Sequence, residues 1–428
     1  KVGRKRGEKN THEAECLRLM MKRSKCMNVP EIRFKEFCDY YSDVLLEKCL
    51  SVSNKKNNKL EYKKEDALSV SDEFGVVNQI EHLGRSYTGN NISTYKILNK
   101  WQIVYTKSPL KLKPFGIIKV NNNKPGIVSV LYAIYDVKEG FDPNYISVYF
   151  EPNFRLNKYL LPLINKGAKN TINISDETAL SGEVHIPLSY TEQQKIASYF
   201  QSLDSLIQTT SKKLASLKRI KAASLQSMFP QEGETVPKVR FKGFEGEWDF
   251  VTAGEVFRTT NVRNRPDLPV LSATQDKGMV KRSDIGYQVF HDKSNETTYK
   301  HILPGQFIIH LRSFQGGFAH SNIEGIVSPA YTVMEFKNKE FHYDYFWKYI
   351  FTSKEFIKRL ELITYGIRDG RTISFDEFKE MDFFIPSKLE QQKIASYFCN
   401  LDKQISLQTQ RLEKLKQIKA ACLDKMFV

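Results

Sequence analysis

The chain has 428 residues, of which 41% are hydrophobic and 12% aromatic, enough apolar material for real cores and incompatible with disorder throughout. A formal net charge of +16 leaves two readings, a solvated basic surface or a polyanionic partner. The six Cys (16, 26, 38, 49, 399 and 422) form no C-x-x-C and no Cys/His cluster, so they read as reduced thiols of a cytosolic protein, not as a disulfide framework or zinc site.

In chain order, residues 1–26 come first, with nine Lys/Arg against three Glu. They show no usable period and read as a basic tail or an upstream artefact, with a nucleic-acid-binding arm as the alternative. The domain-like sequence is expected to start near Met27. No apolar run approaches the roughly 20 residues of a membrane span. The basic N-terminus lacks the apolar core of a signal peptide.

From residue 29 the sequence duplicates itself. VPEIRFKEF at 29–37 returns as VPKVRFKGF at 236–244, and LSVSDEFGVV at 68–77 as LSATQDKGMV at 271–280. YKILNKWQIVY at 95–105 loosely matches KHILPGQFIIH at 300–310, and GIVSVLYAIYDV at 126–137 matches GIVSPAYTVMEF at 325–336. NKGAKNTINIS at 165–175 resembles TYGIRDGRTIS at 364–374. The blocks keep one order in both halves, and only an internal duplication explains that. Between them the halves differ almost completely, so one scaffold carries two different variable surfaces. IVSVLYAIYDV, ISVYFEP, QFIIHL and SPAYTVMEF read as strands, whereas residues 158–165 and 343–362 look helical. Each half is therefore mixed α+β, of about 150 residues, and closes on a strand ending in Ile-Pro.

After each half comes a stretch without Pro or Gly. Residues 191–229 and 389–427 are identical at more than half of their positions and share EQQKIASYF unbroken. Leu203, Ile207, Leu214, Leu217, Ile220 and Met228 recur at three- and four-residue steps, as do Leu401, Ile405, Leu412, Leu415, Ile418 and Met426. This is the stripe of a long helix, roughly 57 Å for about 38 residues, and two matching stripes can bury each other as a coiled coil. Ser189 with Glu192, and Ser387 with Glu390, have the spacing of a capping box and mark the helix starts. Pro230 stops the first helix. The expected organisation is a tail at 1–26, domains at 27–188 and 238–386, helices at 189–229 and 387–428, and a polar linker at 230–237.

Catalytic signatures are scarce. There is no GxxxxGK[ST] and no glycine-rich nucleotide loop after a strand. SPAY at 328–331 only faintly matches an amino-methyltransferase motif. Glu61-Tyr-Lys63 and Glu377-Phe-Lys379 fit half of a nuclease site but have no paired acid. The eight His are dispersed, so no catalytic residue and no metal ligand is assigned. The variable loops are more informative, because Arg, Lys, Asn and Gln reach phosphates and base edges. The first half offers Arg85, Lys107, Lys111, Lys113, Asn122 and Lys124. The second offers Arg263, Arg265, Lys281, Arg282, Arg312 and Gln315. Lys166, Lys169, Arg368 and Arg371 stand in the paired loops before the final strands. For any one of them, a solvated loop residue is the competing reading.

Two variable domains, each followed by a near-identical helix opening with EQQKIA and closing with K-A-A-x-L-x-x-M-F, resemble the DNA specificity subunit of type I restriction-modification systems. The VPxxRFK openings and paired G-I-V-S-x-x-Y blocks fit the same family, and residues 1–26 lie outside it. The resemblance implies an α+β fold of two tandem target recognition domains whose long helices pair as an antiparallel coiled coil. It implies a cytoplasmic, non-catalytic subunit, each domain reading one half of a split site in double-stranded DNA. The helices would set the half-site spacing and dock two methyltransferase subunits, which two restriction/translocase subunits join. S-adenosylmethionine, ATP and Mg are then expected on those partners and no cofactor on this chain. A standalone DNA-binding regulator or coiled-coil adaptor is the alternative.

Overall fold

A computed structural model describes residues 29–110, 112–166, 172–274, 277–285, 293–310, 317–364 and 373–428, except the side chains of 165, 166, 293, 294 and 361–364. The sequence reading of residues 1–26 lies outside them. Two compact units divide the chain, one of residues 1–210 with 411–428 and one of residues 211–410.

In the first unit a four-stranded antiparallel sheet runs in the spatial order Leu50–Val52, Ala133–Val137, Ile103–Tyr105, Ile118–Val120. In the second the order is Phe257–Thr260, Thr332–Phe336, Phe307–Ile309, Phe318–His320. Those are equivalent strands in the same order. The flanking two-stranded ribbons match as well: Lys96–Leu98 pairs with Gly126–Val128, as Lys300–Ile302 pairs with Gly325–Val327. Each unit therefore repeats one mixed α/β topology, as the duplicated blocks predict.

Two local readings need correction. The stretch ISVYFEP is not a strand: Pro143–Tyr149 is a helix, whose N-cap Asp142 side chain accepts the Tyr145 amide at 2.8 Å. An acid before a proline outweighs the β-branched and aromatic composition behind it. Residues 158–165 are not one helix either, since Asn153–Leu160 ends there and Asn165–Lys166 is a strand. The expected helix at 343–362 is two, Asp344–Phe351 and Lys354–Thr364.

The long helices span Tyr190–Ser227 and Lys388–Lys425, 38 residues each. They pair antiparallel. In the first unit Ile196, Ala197, Phe200 and Leu203 of the first helix share a core with Cys422, Leu423, Met426 and Phe427 from the end of the second. In the second unit the exchange is reversed, with Ile394, Ala395, Phe398 and Leu401 packed beside Leu217, Met228 and Phe229. Leu203, Leu214, Leu217, Leu401 and Leu412 are buried, and Ile207, Ile405 and Leu415 half-buried. Ile220 and Ile418 depart from the expected stripe and are exposed, at 43% and 38%. The inner face beyond Leu217 runs through Lys221, Ser224 and Met228, and at about 100° per residue Ile220 points roughly 60° away from it.

The helix starts hold a second correction. Glu192 does not fold back to close a capping box. Its two carboxylate oxygens take Nε and Nη2 of Arg33, each at 2.7 Å, while the Ser189 hydroxyl still accepts the Glu192 amide at 3.4 Å. Glu390 takes Arg240 in the same bidentate manner at 2.7 Å. The next residue is equally fixed: Gln193 accepts the Asp142 amide and donates to the Pro187 carbonyl, both at 2.9 Å. Gln391 accepts from Tyr343 and donates to Pro386, also at 2.9 Å. The two repeated motifs VPxxRFK and EQQKIA are thus the two halves of one joint, made once in each unit.

Cys38 is disulfide-bonded, against the expectation that every cysteine is a reduced thiol, while Cys49, Cys399 and Cys422 are free. None of the described helices is long and apolar enough to cross a membrane.

Candidate nucleic-acid interface

The site is built from what leaves the first strand of each central sheet. In the first unit residues 53–64 run alongside the ribbon strand Lys96–Leu98. Ile97 donates its amide to the Lys55 carbonyl and Asn57 its amide to the Tyr95 carbonyl, both at 2.9 Å. In the second unit residues 261–268 take the same course: His301 donates to Val262 at 2.7 Å and Asn264 to Thr297 at 3.1 Å. Both loops turn through a non-glycine residue in the left-handed region, Leu60 at φ 52° and Asn264 at φ 65°. Strain of this kind marks positions held by their surroundings, and it gathers where loops carry function.

Side chains on these ledges are basic. Lys55, Lys56, Lys59 and Lys63 are exposed in the first unit, and in the second Arg263 is exposed and Arg265 half-buried. The four lysines were missed by reasoning from single loop residues. Their signal was the run SNKKNNKLEYKK, a basic and amide-rich stretch at the place where the other half carries VRNR.

The residues proposed from sequence separate into three groups. Arg85, Asn122, Lys124, Arg263 and Lys281 are exposed, and the four cations among them have no carboxylate partner among the described residues. Arg85 lies over the Tyr87 ring at 4.6 Å, and Arg263 donates Nε to Asn261 at 2.9 Å. A second group is taken up internally. Lys107 is turned inward to Asp176 at 2.5 Å. Lys113 donates to the Glu151 carbonyl at 2.8 Å and lies 3.4 Å from Asp72. Arg265 is paired with Asp267 at 2.9 Å, and Arg282 donates to the Ser272 hydroxyl at 3.2 Å. Lys107 and Lys113 thus have partners within the fold, because a near carboxylate or carbonyl competes well with solvent for a half-buried ammonium. The third group, Lys111, Lys169, Arg312, Gln315, Arg368 and Arg371, lies outside the described residues. Lys166 is on a described strand, but its side chain is not described.

One carboxylate holds two of these lysines. Asp176 binds Lys96 at 2.9 Å and Lys107 at 2.5 Å. Burial pushes its acidity the other way, yet the two ammonium groups keep its carboxyl below the usual aspartate range. Among the described residues there is no cluster of His, Cys, Asp and Glu that could hold a metal.

Residues 245–417 match the family model described as type I restriction modification DNA specificity domain. The S subunit of a type I restriction-modification system from M. genitalium has the same fold, with a TM-score of 0.57 at 12% identity over 94% of this chain and 99% of that one. The chain resembles the DNA specificity subunits of type I restriction-modification systems. The HsdS subunit from Thermoanaerobacter tengcongensis also aligns, at 15% identity and a TM-score of 0.41 over 90% of this chain and 96% of that one. No curated protein sequence matches. The specificity-domain match spans the second basic ledge, the second central sheet and most of the second long helix.

Proposed function

We propose that the chain is the sequence-specific DNA-binding subunit of a type I restriction-modification complex. Each unit reads one half of a bipartite site in double-stranded DNA, and the paired helices fix the spacing between the halves. What carries this reading is that two units repeat one topology strand for strand, while the loops they expose share almost no sequence. A duplicated scaffold with divergent loops suits two different half-sites. DNA rises about 3.4 Å per base pair along a strand, so a helical spacer tens of ångströms long suits half-sites roughly one turn apart.

The chain itself does no bond chemistry. Two methyltransferase subunits dock on the helices, with S-adenosylmethionine, and two restriction/translocase subunits supply ATP- and Mg-dependent action, all in the cytoplasm. The test exchanges residues 29–188 for those of a relative and maps methylated adenines in host DNA. One half-site changes and the other stays. A change in both or in neither would end the modular reading. Specific binding by the isolated chain, with no methyltransferase partner in the host, would favour a standalone regulator instead.

A further inference from the structure

The duplication supplies an internal control for every charged residue, and one lysine fails to behave the same way twice. Lys96 and Lys300 occupy the same place, at the start of the ribbon strand beside the basic ledge, one residue out of step with the loose sequence match, which sets Lys96 opposite His301. They pair in register with Val128 and Val327 of the equivalent G-I-V strands. In the first unit Lys96 is buried and its charge is cancelled by Asp176 at 2.9 Å, which also holds Lys107.

In the second unit the residue aligned with Asp176 is Phe375. The alignment is fixed by the preceding serines, since Ser175 accepts the Thr178 amide at 2.9 Å as Ser374 accepts that of Glu377 at 3.1 Å. Lys300 therefore lacks the acid that Lys96 has. Its Nζ donates to the Tyr331 carbonyl at 2.6 Å and has no carboxylate partner among the described residues. What lies near it instead is a second cation, Arg263. That residue sits on the ledge between the Val262 carbonyl, which takes the His301 amide at 2.7 Å, and the Asn264 amide. Burial and the Arg263 charge together pull Lys300 below the usual lysine range. The neighbouring acids are already engaged: Glu324 holds His301 at 2.8 Å and Asp267 holds Arg265 at 2.9 Å.

Two like charges held together without an acid repel each other, and the fold recovers nothing from the arrangement by itself. An anion between them removes the cost, and a phosphate oxygen is the anion that a DNA reader meets. We propose that Arg263 and Lys300 form a backbone-phosphate clamp in the second unit, for which the first unit has no active counterpart because Asp176 neutralises Lys96. The inference rests on the DNA-binding reading and adds to it an asymmetry: the second unit makes a phosphate contact where the first is silenced.

The experiment measures affinity of the full-length chain, assembled with its methyltransferase partner, for one synthetic DNA duplex as a function of salt. Each neutralised phosphate contributes about 0.9 to the slope of log affinity against log salt. R263Q and K300Q should each lower the slope by about 0.9, and the double variant by about twice that. K96Q should leave it unchanged, and Asp176→Asn, which frees Lys96 and Lys107, should steepen it. Arg263 is exposed, so R263Q tests the clamp even if K300Q melts early. An unchanged slope in R263Q while the wild type binds, or an equal loss in K96Q, overturns the clamp and leaves the DNA reading intact. A wild-type chain that binds no duplex even with its methyltransferase partner present overturns both.

Discussion

Arg33 meets Glu192 with 3% and 1% of the two side chains exposed, and Arg240 meets Glu390 with 18% and 1%. Such a pair adds little net stability over an apolar replacement, but removing one partner strands a buried charge at about 3–5 kcal/mol. Glu192→Gln is therefore expected to destabilise the first unit by about that amount in denaturant unfolding, and the double replacement of Arg33 and Glu192 by Met much less. A small loss in the single variant would mean that Arg33 finds water. His342 gives the second prediction at this scale. Burial, with help from Lys388, pushes it down to about 4, and its Nδ1 has no hydrogen-bond partner. The unfolded chain takes up the proton near 6.5 and the folded one only near 4. Stability from this group is thus complete above pH 6.5 and lost as pH falls toward 4. His342→Phe should flatten that part of the profile of melting temperature against pH, and a parallel profile would reject the assignment.

At the scale of the helices, the pairing is specified by charge as well as by the stripe. Lys419 reaches Asp204 at 2.5 Å and Glu151 at 2.5 Å, and Lys221 reaches Asp402 at 2.5 Å. The same Asp and the same Lys of each repeat meet across the pair, once in each unit, and a parallel pairing would separate them. Burial alone would lower Lys419, but Glu151 and Asp204 hold it above the usual range. Tyr199 with Cys422 at 3.4 Å and Tyr397 with Ser224 at 3.0 Å repeat the idea with neutral groups. A double-mutant cycle on Asp204 and Lys419 is expected to give a coupling of about 1 kcal/mol, since the aspartate is half exposed. Swapping the two charges should recover most of what Asp204→Lys loses, and no recovery would mean that the pair is incidental. Helix existence, length and duplication were legible in the sequence because periodicity and repeats are local or self-referential signals. Which faces meet was only partly legible. Ile220 and Ile418 satisfy the spacing yet turn outward, because the lysines beside them take the inner positions. The capping boxes failed for a related reason: a four-residue pattern cannot reveal that its glutamate answers an arginine 159 residues away. The basic candidates were legible as a class but not one by one, because Asp176, Glu151 and Asp267 decide which cations stay available, and no spacing rule brings those acids to their lysines and arginines.

For the molecule as a whole, the decisive feature is that the first unit is finished by the last residues of the sequence. Phe427 is 4% exposed and packs against Tyr145, Tyr149 and Phe200, with ring centroids 5.6–5.9 Å away. Arg155 lies over it at 4.7 Å and donates to the Leu423 carbonyl at 2.8 Å, so a buried cation holds the C-terminal end of the helix in place. Phe229 does the same service in the second unit, against Phe346 and Phe398. The core of the first unit is therefore incomplete until residues 411–428 have been made, whereas the second unit takes all its residues from one continuous stretch. Phe427→Ala should cost about 3–5 kcal/mol, the usual loss for a buried phenylalanine. That loss should be confined to the first unit. Hydrogen exchange read residue by residue would then quicken around Ile103, Tyr135 and Phe200 and stay slow around Phe307 and Trp347, and Phe229→Ala should give the mirror result. Equal loss of protection in both units from Phe427→Ala would show that they unfold as one body, and the two-unit account of stability would have to be given up.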